Sequence, residues 1–191
     1  MSKTSKSISL PPKTRHQDQG LSIYDFGHDF LVRCPQCKRC AEVTIKGVNP
    51  LQPSAVRLVC GHCGYSKQVQ QDVIQTTWRK GRYRMDYAIG GAYDWYFKTP
   101  LWLRTPCAGH ELWANNADHL EFLEEYVRAS IREDSANRLR AIRNSSLASR
   151  LPGWIKSAKN RDKLDQGLKK LRGLLKSTTR GPSRNPGQTP R

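Results

Sequence analysis

The sequence predicts an α+β protein in which a small antiparallel ribbon and a second small sheet are followed by basic C-terminal helices, with disordered termini. Three observations support this class. Two Cys-x-x-Cys pairs flank a segment of alternating apolar residues, an aromatic stretch leads into an amphipathic helix, and the last third is rich in Lys and Arg. At 191 residues the chain can bury one modest core, so any second domain must be small.

The two cysteine pairs are the strongest chemical signal. Cys34 and Cys37 form the first pair, and Cys60 and Cys63 form the second. Two thiolates from each of two tight turns supply the four soft ligands that a tetrahedral zinc ion prefers. Apolar residues alternate on both sides of a turn region at residues 47–53, as in two short antiparallel strands. The sequence therefore predicts a ribbon that holds one structural Zn²⁺.

A pair of disulfides is the alternative explanation of these four cysteines. No apolar signal-peptide region follows the polar N-terminus, so the sequence predicts a cytoplasmic location, where reducing conditions favour metal binding. Cys40 lies three residues after Cys37 and is a potential substitute ligand. A half-buried thiol beside the metal site is the simpler interpretation of Cys40.

Charge is concentrated in the last third of the chain. The net charge is +17, and residues 136–191 carry fifteen Lys and Arg against two Asp, a net +13. Such a block attracts a polyanion, and nucleic acid, either DNA or RNA, is the commonest one in a cell. The alternative is a tail that serves solubility or lies on anionic lipid. No apolar run reaches the length of a membrane span, and we expect no membrane association.

Composition and periodicity divide the chain into five segments. They are a disordered basic arm (1–20), a zinc ribbon (21–75), a small β unit with an amphipathic helix (76–134), a basic helical region (135–176) and a disordered tail (177–191). Two stretches mix basic and aromatic side chains, which neutralise phosphates and stack on bases. The predicted nucleic-acid-binding residues are Arg79, Lys80, Arg82, Arg84, Arg138, Arg140, Arg143, Arg150, Trp154, Lys156, Lys159, Arg161 and Lys163.

Local signals predict the elements between these stretches. We expect residues 23–32 to enter the ribbon as a strand, residues 67–70 to form its last strand, and residues 94–98, 101–104 and 111–114 to form short strands. A helix should follow, capped by Asn115 or Asn116, with apolar residues at helical spacing up to Ile131. The run from Cys107 to His110 suits a tight turn better than a second metal site.

The C-terminal helical pattern carries leucines among many lysines. Pro152 and Gly153 break one helix and can begin another, along which Ile155, Leu164, Leu168, Leu171 and Leu175 recur at helical spacing. A basic amphipathic helix of this kind fits nucleic-acid backbone binding, a membrane surface or partner docking. It also fits a helix that packs its leucines on the ribbon unit and exposes lysine to water.

The cysteine pairs resemble the zinc ribbons of general transcription factor B and of the RNA polymerase and replication machinery, over about residues 30–70. Residues 101–133 and 146–164 are similar to an uncharacterised group of small bacterial zinc-ribbon proteins, sometimes labelled replication-restart primosomal helicases. The helicase label does not fit, because the sequence has no G-x-x-x-x-G-K-[ST] loop. The resemblance implies a zinc ribbon in a bacterial cytosol. In that group a second cysteine often replaces Ala108, so its absence here weakens a second metal site.

These observations favour a non-enzymatic, zinc-ribbon protein that binds nucleic acid through its basic C-terminal region. The sequence shows no paired catalytic carboxylates, cofactor loop or small-molecule site, and the spacing of His110 and His119 is too short for an HNH nuclease. The alternative function is a protein-protein interaction module, which docks on a possible protein partner through the aromatic sheet and the acidic helix.

Overall fold

A computed structural model describes residues 15–47, 50, 53–70, 90–129, 131–133 and 146–179. Most of the predicted N-terminal arm, most of the predicted C-terminal tail and the basic stretch at residues 76–84 lie outside these residues. So do the candidate contact residues Arg138, Arg140 and Arg143. The predicted disorder is wrong for residues 15–17 of the arm, which form a strand paired with Ile131–Glu133, and for residues 177–179 of the tail, which belong to the last helix.

The described chain is α+β, as predicted. The strands are β1 (Arg15–Gln17), β2 (Phe30–Arg33), β3 (Cys40–Lys46), β4 (Ala55–Val59), β5 (Ser66–Gln70), β6 (Arg104–Cys107), β7 (His110–Trp113) and β8 (Ile131–Glu133). The α-helices are α1 (Ala117–Arg128), α2 (Leu147–Arg150), α3 (Gly153–Lys156) and α4 (Arg161–Thr179), with 3₁₀ helices at Ile23–Phe26 and Ala158–Asn160. Among the described helices, none combines the length and hydropathy that a bilayer span requires.

Strands β2 to β5 form one antiparallel sheet in chain order, which we call the ribbon sheet. Side chains alternate across it, so one face is buried and the other is more exposed. The buried face packs under Trp95 and Leu101, and its own side chains are Phe30, Val32, Ala41, Val43, Val56 and Leu58. The predicted hairpin between the cysteine pairs and the predicted last strand are confirmed.

The predicted strand over residues 23–32 is wrong in its first half. Ile23–Phe26 is a 3₁₀ helix, because the Asp25 carboxylate accepts hydrogen bonds from the backbone N–H and the hydroxyl of Ser22 at 2.6 and 2.8 Å. Gly27 then passes beneath Trp95, where an added Cβ would lie 2.6 Å from the indole. Only after this close approach does the chain extend as β2.

The predicted strand at residues 94–98 is also wrong. The Asp94 carboxylate is buried and accepts hydrogen bonds from the backbone N–H groups of Tyr96, Phe97 and Thr99, at 3.0, 2.7 and 2.5 Å. One side chain thus satisfies three backbone donors and closes a turn. The next strand, predicted at residues 101–104, begins at Arg104, while Leu101 makes an isolated bridge to Val32.

Strands β6 and β7 form a hairpin whose two turn residues were correctly predicted. Ala108 and Gly109 have φ of 51° and 80°, as a tight two-residue turn between antiparallel strands requires. The following helix α1 is capped by the Asn116 side chain, which accepts a hydrogen bond from the His119 N–H at 3.0 Å. Of the two predicted caps, Asn116 is therefore the correct one.

The C-terminal helices pack against this hairpin and α1. Pro152 and Gly153 begin a helix as predicted, but that helix is the four-residue α3, and α4 begins separately at Arg161. Leu164, Leu168 and Leu171 of α4 are buried in a core shared with α1 and the hairpin. The leucine stripe is therefore part of the protein interior. β1 and β8 pair in parallel elsewhere in the chain.

Candidate metal centre and basic surface

The four predicted ligands come together in one cluster. The Sγ atoms of Cys34, Cys37, Cys60 and Cys63 all lie within 4.8 Å of one another. Cys34 and Cys63 are 3.7 Å apart, and Cys37 and Cys60 are 3.6 Å apart. Four sulfurs placed tetrahedrally at the usual zinc–sulfur distance of about 2.3 Å are separated by about 3.8 Å. The cluster therefore has the dimensions of a tetrahedral metal site, and its cysteines are free thiols.

The two cysteine turns have the same backbone structure. In the first, the Cys34 N–H donates to the Arg39 carbonyl at 2.7 Å, and the Lys38 N–H donates to the Cys34 carbonyl at 3.0 Å. In the second, the Cys60 N–H donates to the Tyr65 carbonyl at 2.8 Å, and the Gly64 N–H donates to the Cys60 carbonyl at 3.0 Å. The two loops therefore present their sulfurs in equivalent positions from opposite sides of the site.

The residue after each second cysteine has a positive φ. Gly64 adopts this conformation at 75° without steric cost, whereas Lys38 adopts it at 63° with a Cβ. The Lys38 ammonium donates to the Pro35 carbonyl at 2.7 Å, so the lysine side chain folds back onto its own loop. Lys38 therefore has a strained backbone conformation, which glycine would adopt at a lower energetic cost.

The local electrostatics favour thiolate at the buried end of the site. Burial opposes ionisation of Cys34, but the backbone N–H groups of Cys37 and Gln36 and the nearby thiols outweigh it and lower its pKa to about 7. The Tyr65 N–H favours the Cys63 thiolate, yet burial and the three neighbouring thiols raise its pKa to about 12. Four thiolates in this volume therefore need a cation to balance their charge.

The remaining cysteines lie outside the cluster. Among the described residues, the group of side chains suited to a metal ion contains only the four cysteines of the ribbon. Cys40 donates to the Ala41 carbonyl at 3.8 Å, and burial raises its pKa to about 12. Cys107 is buried with its thiol 3.4 Å from the Lys163 carbonyl. His110 stacks on Trp154 with ring centroids 4.8 Å apart.

Six of the predicted nucleic-acid contacts are described, and they differ in exposure. Arg150, Lys159 and Lys163 are exposed, and the Lys156 ammonium is half-buried and donates to the Ser149 carbonyl at 2.5 Å. Arg161 is half-buried and donates to the Ala129 carbonyl at the end of α1 at 3.3 Å. The half-buried Trp154 is covered on one face by His110.

Two cations on the side of α4 that faces α1 are paired with carboxylates. The buried carboxylate of Glu124 accepts two hydrogen bonds from the Arg172 guanidinium, at 3.0 and 2.7 Å. Lys169 lies 2.6 Å from Asp165, one turn earlier in the same helix. Arg172 is therefore held by a buried carboxylate, whereas Lys169 makes an exposed ion pair within its own helix.

Lys163 and Lys170 are exposed on the side of α4 beside the hairpin, and Lys159 is exposed in the 3₁₀ helix that precedes α4. Lys163 and Lys170 are seven residues apart, about 10 Å along the helix, and Lys159 precedes Lys163 by one turn. We call Lys159, Lys163 and Lys170 the lysine stripe. Gly167 lies between Lys163 and Lys170, and it is buried against the hairpin. Lys170 was not among the predicted contacts, although its seven-residue spacing from Lys163 places both on one helix face.

No family model, no curated protein and no solved structure matches this chain. The functional interpretation therefore depends on the geometry and chemistry of the residues themselves.

Proposed function

We propose that this chain is a non-enzymatic zinc-ribbon protein that binds nucleic acid through the basic surface of its C-terminal region. Cys34, Cys37, Cys60 and Cys63 hold one structural Zn²⁺. With four thiolate ligands the ion has no open coordination position for water or substrate, so it supplies folding free energy to the ribbon rather than catalysis.

The choice of zinc follows from the donor set. Four sulfurs at tetrahedral separation suit zinc or a single iron, and hard cations such as Mg²⁺ and Ca²⁺ need oxygen ligands instead. Zn²⁺ is redox-inert, which suits a site whose role is to join two loops of one small sheet. The sulfur separations of 3.6 and 3.7 Å are the observation that supports this part of the proposal.

The burial of the leucines supports nucleic acid over a membrane surface. A helix that lies on a bilayer must present its apolar face to lipid. In α4 this face, represented by Leu164, Leu168 and Leu171, is already buried in the protein core. The rest of the helix is rich in charge: residues 161–179 contain six Lys and Arg and two Asp, a net +4. Exposed lysines of this kind neutralise phosphates without reading sequence.

The interaction-module alternative has less support. Most rings of the aromatic stretch serve the interior, since Trp95 is fully buried and Trp113 contacts His119 with ring centroids 5.4 Å apart. Tyr93 at 49% exposure is the described exception in that stretch. On α1 the acidic residues Asp118, Glu121 and Glu125 are exposed, but an acidic face alone defines no partner.

The proposal is tested by metal analysis and by a salt series on the same preparation. We expect one zinc ion per chain after exhaustive dialysis, and fluorescence anisotropy should report binding to labelled DNA or RNA that weakens steeply as salt rises. If the protein retains no zinc, the proposed metal site is wrong. If it binds no nucleic acid at low salt, the proposed nucleic-acid binding is wrong. Truncation before the basic region is unsuitable, because it would remove the leucines that complete the core around α1.

A further inference from the structure

A groove of about 670 Å³ runs between the outer face of the ribbon sheet and the C-terminal end of α4. It adjoins the second cysteine turn, since Gly61 and His62 form part of its wall. Its size is within the range of small-ligand sites, and it serves no purpose in holding the metal.

The floor of the groove is a row of three side chains across the sheet. Leu31 of β2 is paired with Glu42 of β3, and Glu42 is paired with Val59 of β4. The row spans two strand spacings, or about 10 Å, with one carboxylate between two aliphatic side chains. Glu42 is exposed, so its oxygens are accessible from the groove.

The two ends of the groove differ in chemistry. At the end nearer the metal site, the Arg39 guanidinium lies 2.8 Å from Nδ1 of His62, and both residues line the groove. Beside Leu31, whose carbonyl accepts from the Trp102 backbone N–H at 2.8 Å, lies the half-buried indole of Trp102, which donates from Nε1 to the Leu174 carbonyl at 3.3 Å. This hydrogen bond fixes the aromatic ring below the end of α4. The groove therefore offers an aromatic end, a central acceptor and a cationic end.

We propose that this groove binds one unpaired nucleotide of a single-stranded nucleic acid, an inference that rests on the function proposed above. The base lies at the Trp102 end, its exocyclic amino group donates to Glu42, and its phosphate contacts Arg39. Aromatic rings and guanidinium groups are the usual partners of unpaired bases and phosphates. A carboxylate accepts from the amino groups of cytosine, adenine and guanine, whereas thymine and uracil have no such group.

The groove also discriminates between single strands and duplexes. In a duplex both faces of a base are stacked and its amino group is paired, so a base enters the groove only when it is unpaired. The lysine stripe neutralises phosphates of either form, and the groove adds affinity for single strands alone. We therefore expect tighter binding to single strands than to duplex of the same length.

Three variants and two homopolymers test the groove by anisotropy. Wild-type protein should bind oligo(dC) about fivefold more tightly than oligo(dT), and Glu42→Gln should abolish that preference. Arg39→Ala should weaken oligo(dC) binding by about tenfold. Arg57→Ala is the matched control: Arg57 is an exposed arginine of the same sheet outside the groove wall, and its loss should weaken binding by less than about threefold. The proposal is overturned if Arg39→Ala and Arg57→Ala weaken oligo(dC) binding equally and the wild-type protein binds oligo(dC) and oligo(dT) with equal affinity.

A second readout separates this proposal from the proposed function. Deoxycytidine monophosphate should shift the indole N–H resonance of Trp102, assigned with Trp102→Phe, and Arg39→Ala should remove the shift. If the polymers bind but the nucleotide causes no shift and oligo(dC) has no advantage, the groove proposal fails and the basic surface stands. If the nucleotide shifts the resonance but no polymer binds, the groove is a site for a free nucleotide, and both the proposed function and the groove's role in single-strand binding fail. A peptide that shifts Trp102 where the nucleotide does not would overturn the choice of ligand.

Discussion

Two glycines of α4 allow a direct test of how the helix docks. Gly167 is buried against the hairpin, and an added Cβ would lie 2.9 Å from Cδ2 of Leu112 and 3.4 Å from Sγ of Cys107. Gly173 lies six residues later in the same helix, and an added Cβ there would meet nothing within 4 Å. The same substitution to alanine should therefore have opposite effects at the two positions.

The magnitudes follow from helix propensity and packing. Alanine stabilises a helix interior by about 1 kcal/mol relative to glycine, so Gly173→Ala should raise the free energy of unfolding by about that amount. Gly167→Ala gains the same increment but must displace the buried Leu112 side chain, and overpacking of a core costs about 1–3 kcal/mol. We expect a net destabilisation of about 1 kcal/mol, which leaves the two variants about 2 kcal/mol apart.

The assay is urea denaturation of the zinc-loaded protein, followed by circular dichroism at fixed protein and zinc concentration. A difference of 1 kcal/mol corresponds to about 2–4 °C in Tm for a chain of this size, so thermal melts give an independent check. If both variants are stabilised equally, α4 does not lie against the hairpin, and the placement of the lysine stripe beside it is wrong.

Three further predictions concern the metal site, a buried ion pair and a buried histidine. The Cys63→Ser variant should bind no zinc, and its ribbon should no longer unfold cooperatively. The Cys40→Ser variant should retain one zinc ion per chain. If both variants lose zinc, Cys40 belongs to the site. Arg172→Met should lower the free energy of unfolding in urea by about 2 kcal/mol, because it removes the guanidinium paired with the buried Glu124 carboxylate. Adding Glu124→Gln to this variant should recover much of the lost stability. Burial lowers the pKa of His119 to about 3. Between about pH 6.5 and pH 3 the unfolded chain therefore binds one more proton than the folded chain. As the pH falls through this window, His119 lowers the free energy of unfolding by about 1.4 kcal/mol per pH unit. His119→Gln should show a pH slope shallower by that amount between pH 6 and 5, and an unchanged slope would mean that His119 is not buried in its neutral form.

The features that the sequence predicted correctly are specified by neighbouring residues. The Cys-x-x-Cys spacing fixes two sulfurs per turn, and the hairpin between the pairs follows from side-chain alternation across the sheet. The cap of α1 needs only Asn116 and the backbone three residues later. The turn at Ala108 and Gly109 is likewise local.

Two of the errors arose where a side chain competes with the strand for backbone hydrogen bonds. Asp94 accepts hydrogen bonds from three backbone N–H groups and closes a turn where a strand was predicted. Asp25 accepts hydrogen bonds from the backbone N–H and the hydroxyl of Ser22, at the start of a 3₁₀ helix where a strand was predicted. The aromatic residues at 23–26 and 94–98 had favoured strands, but in the structure these residues lie in a 3₁₀ helix and a turn. Periodicity alone does not distinguish these cases, because it reports burial and not backbone pairing.

The basic surface and the groove depend on contacts between distant parts of the chain. The leucine spacing in α4 predicted an apolar face, but not that this face would pack on α1 and the hairpin. The groove combines residues from β2, β3, the second cysteine turn and the end of α4. No local pattern joins Arg39 to Trp102, so their proximity could be seen only once the chain was folded.

The salt dependence of binding by a lysine-stripe variant shows whether these three lysines contact phosphates. Lys159, Lys163 and Lys170 are replaced by glutamine together, and the matched control replaces Lys46, Lys67 and Lys98, three exposed lysines of the ribbon sheet and the Asp94 turn. Each phosphate contact contributes about 0.7–0.9 to the slope of log K against log salt. We expect the stripe variant to lose about 2–3 units of slope and the control to lose less than about 1. Equal slopes for wild type and the stripe variant would contradict this expectation.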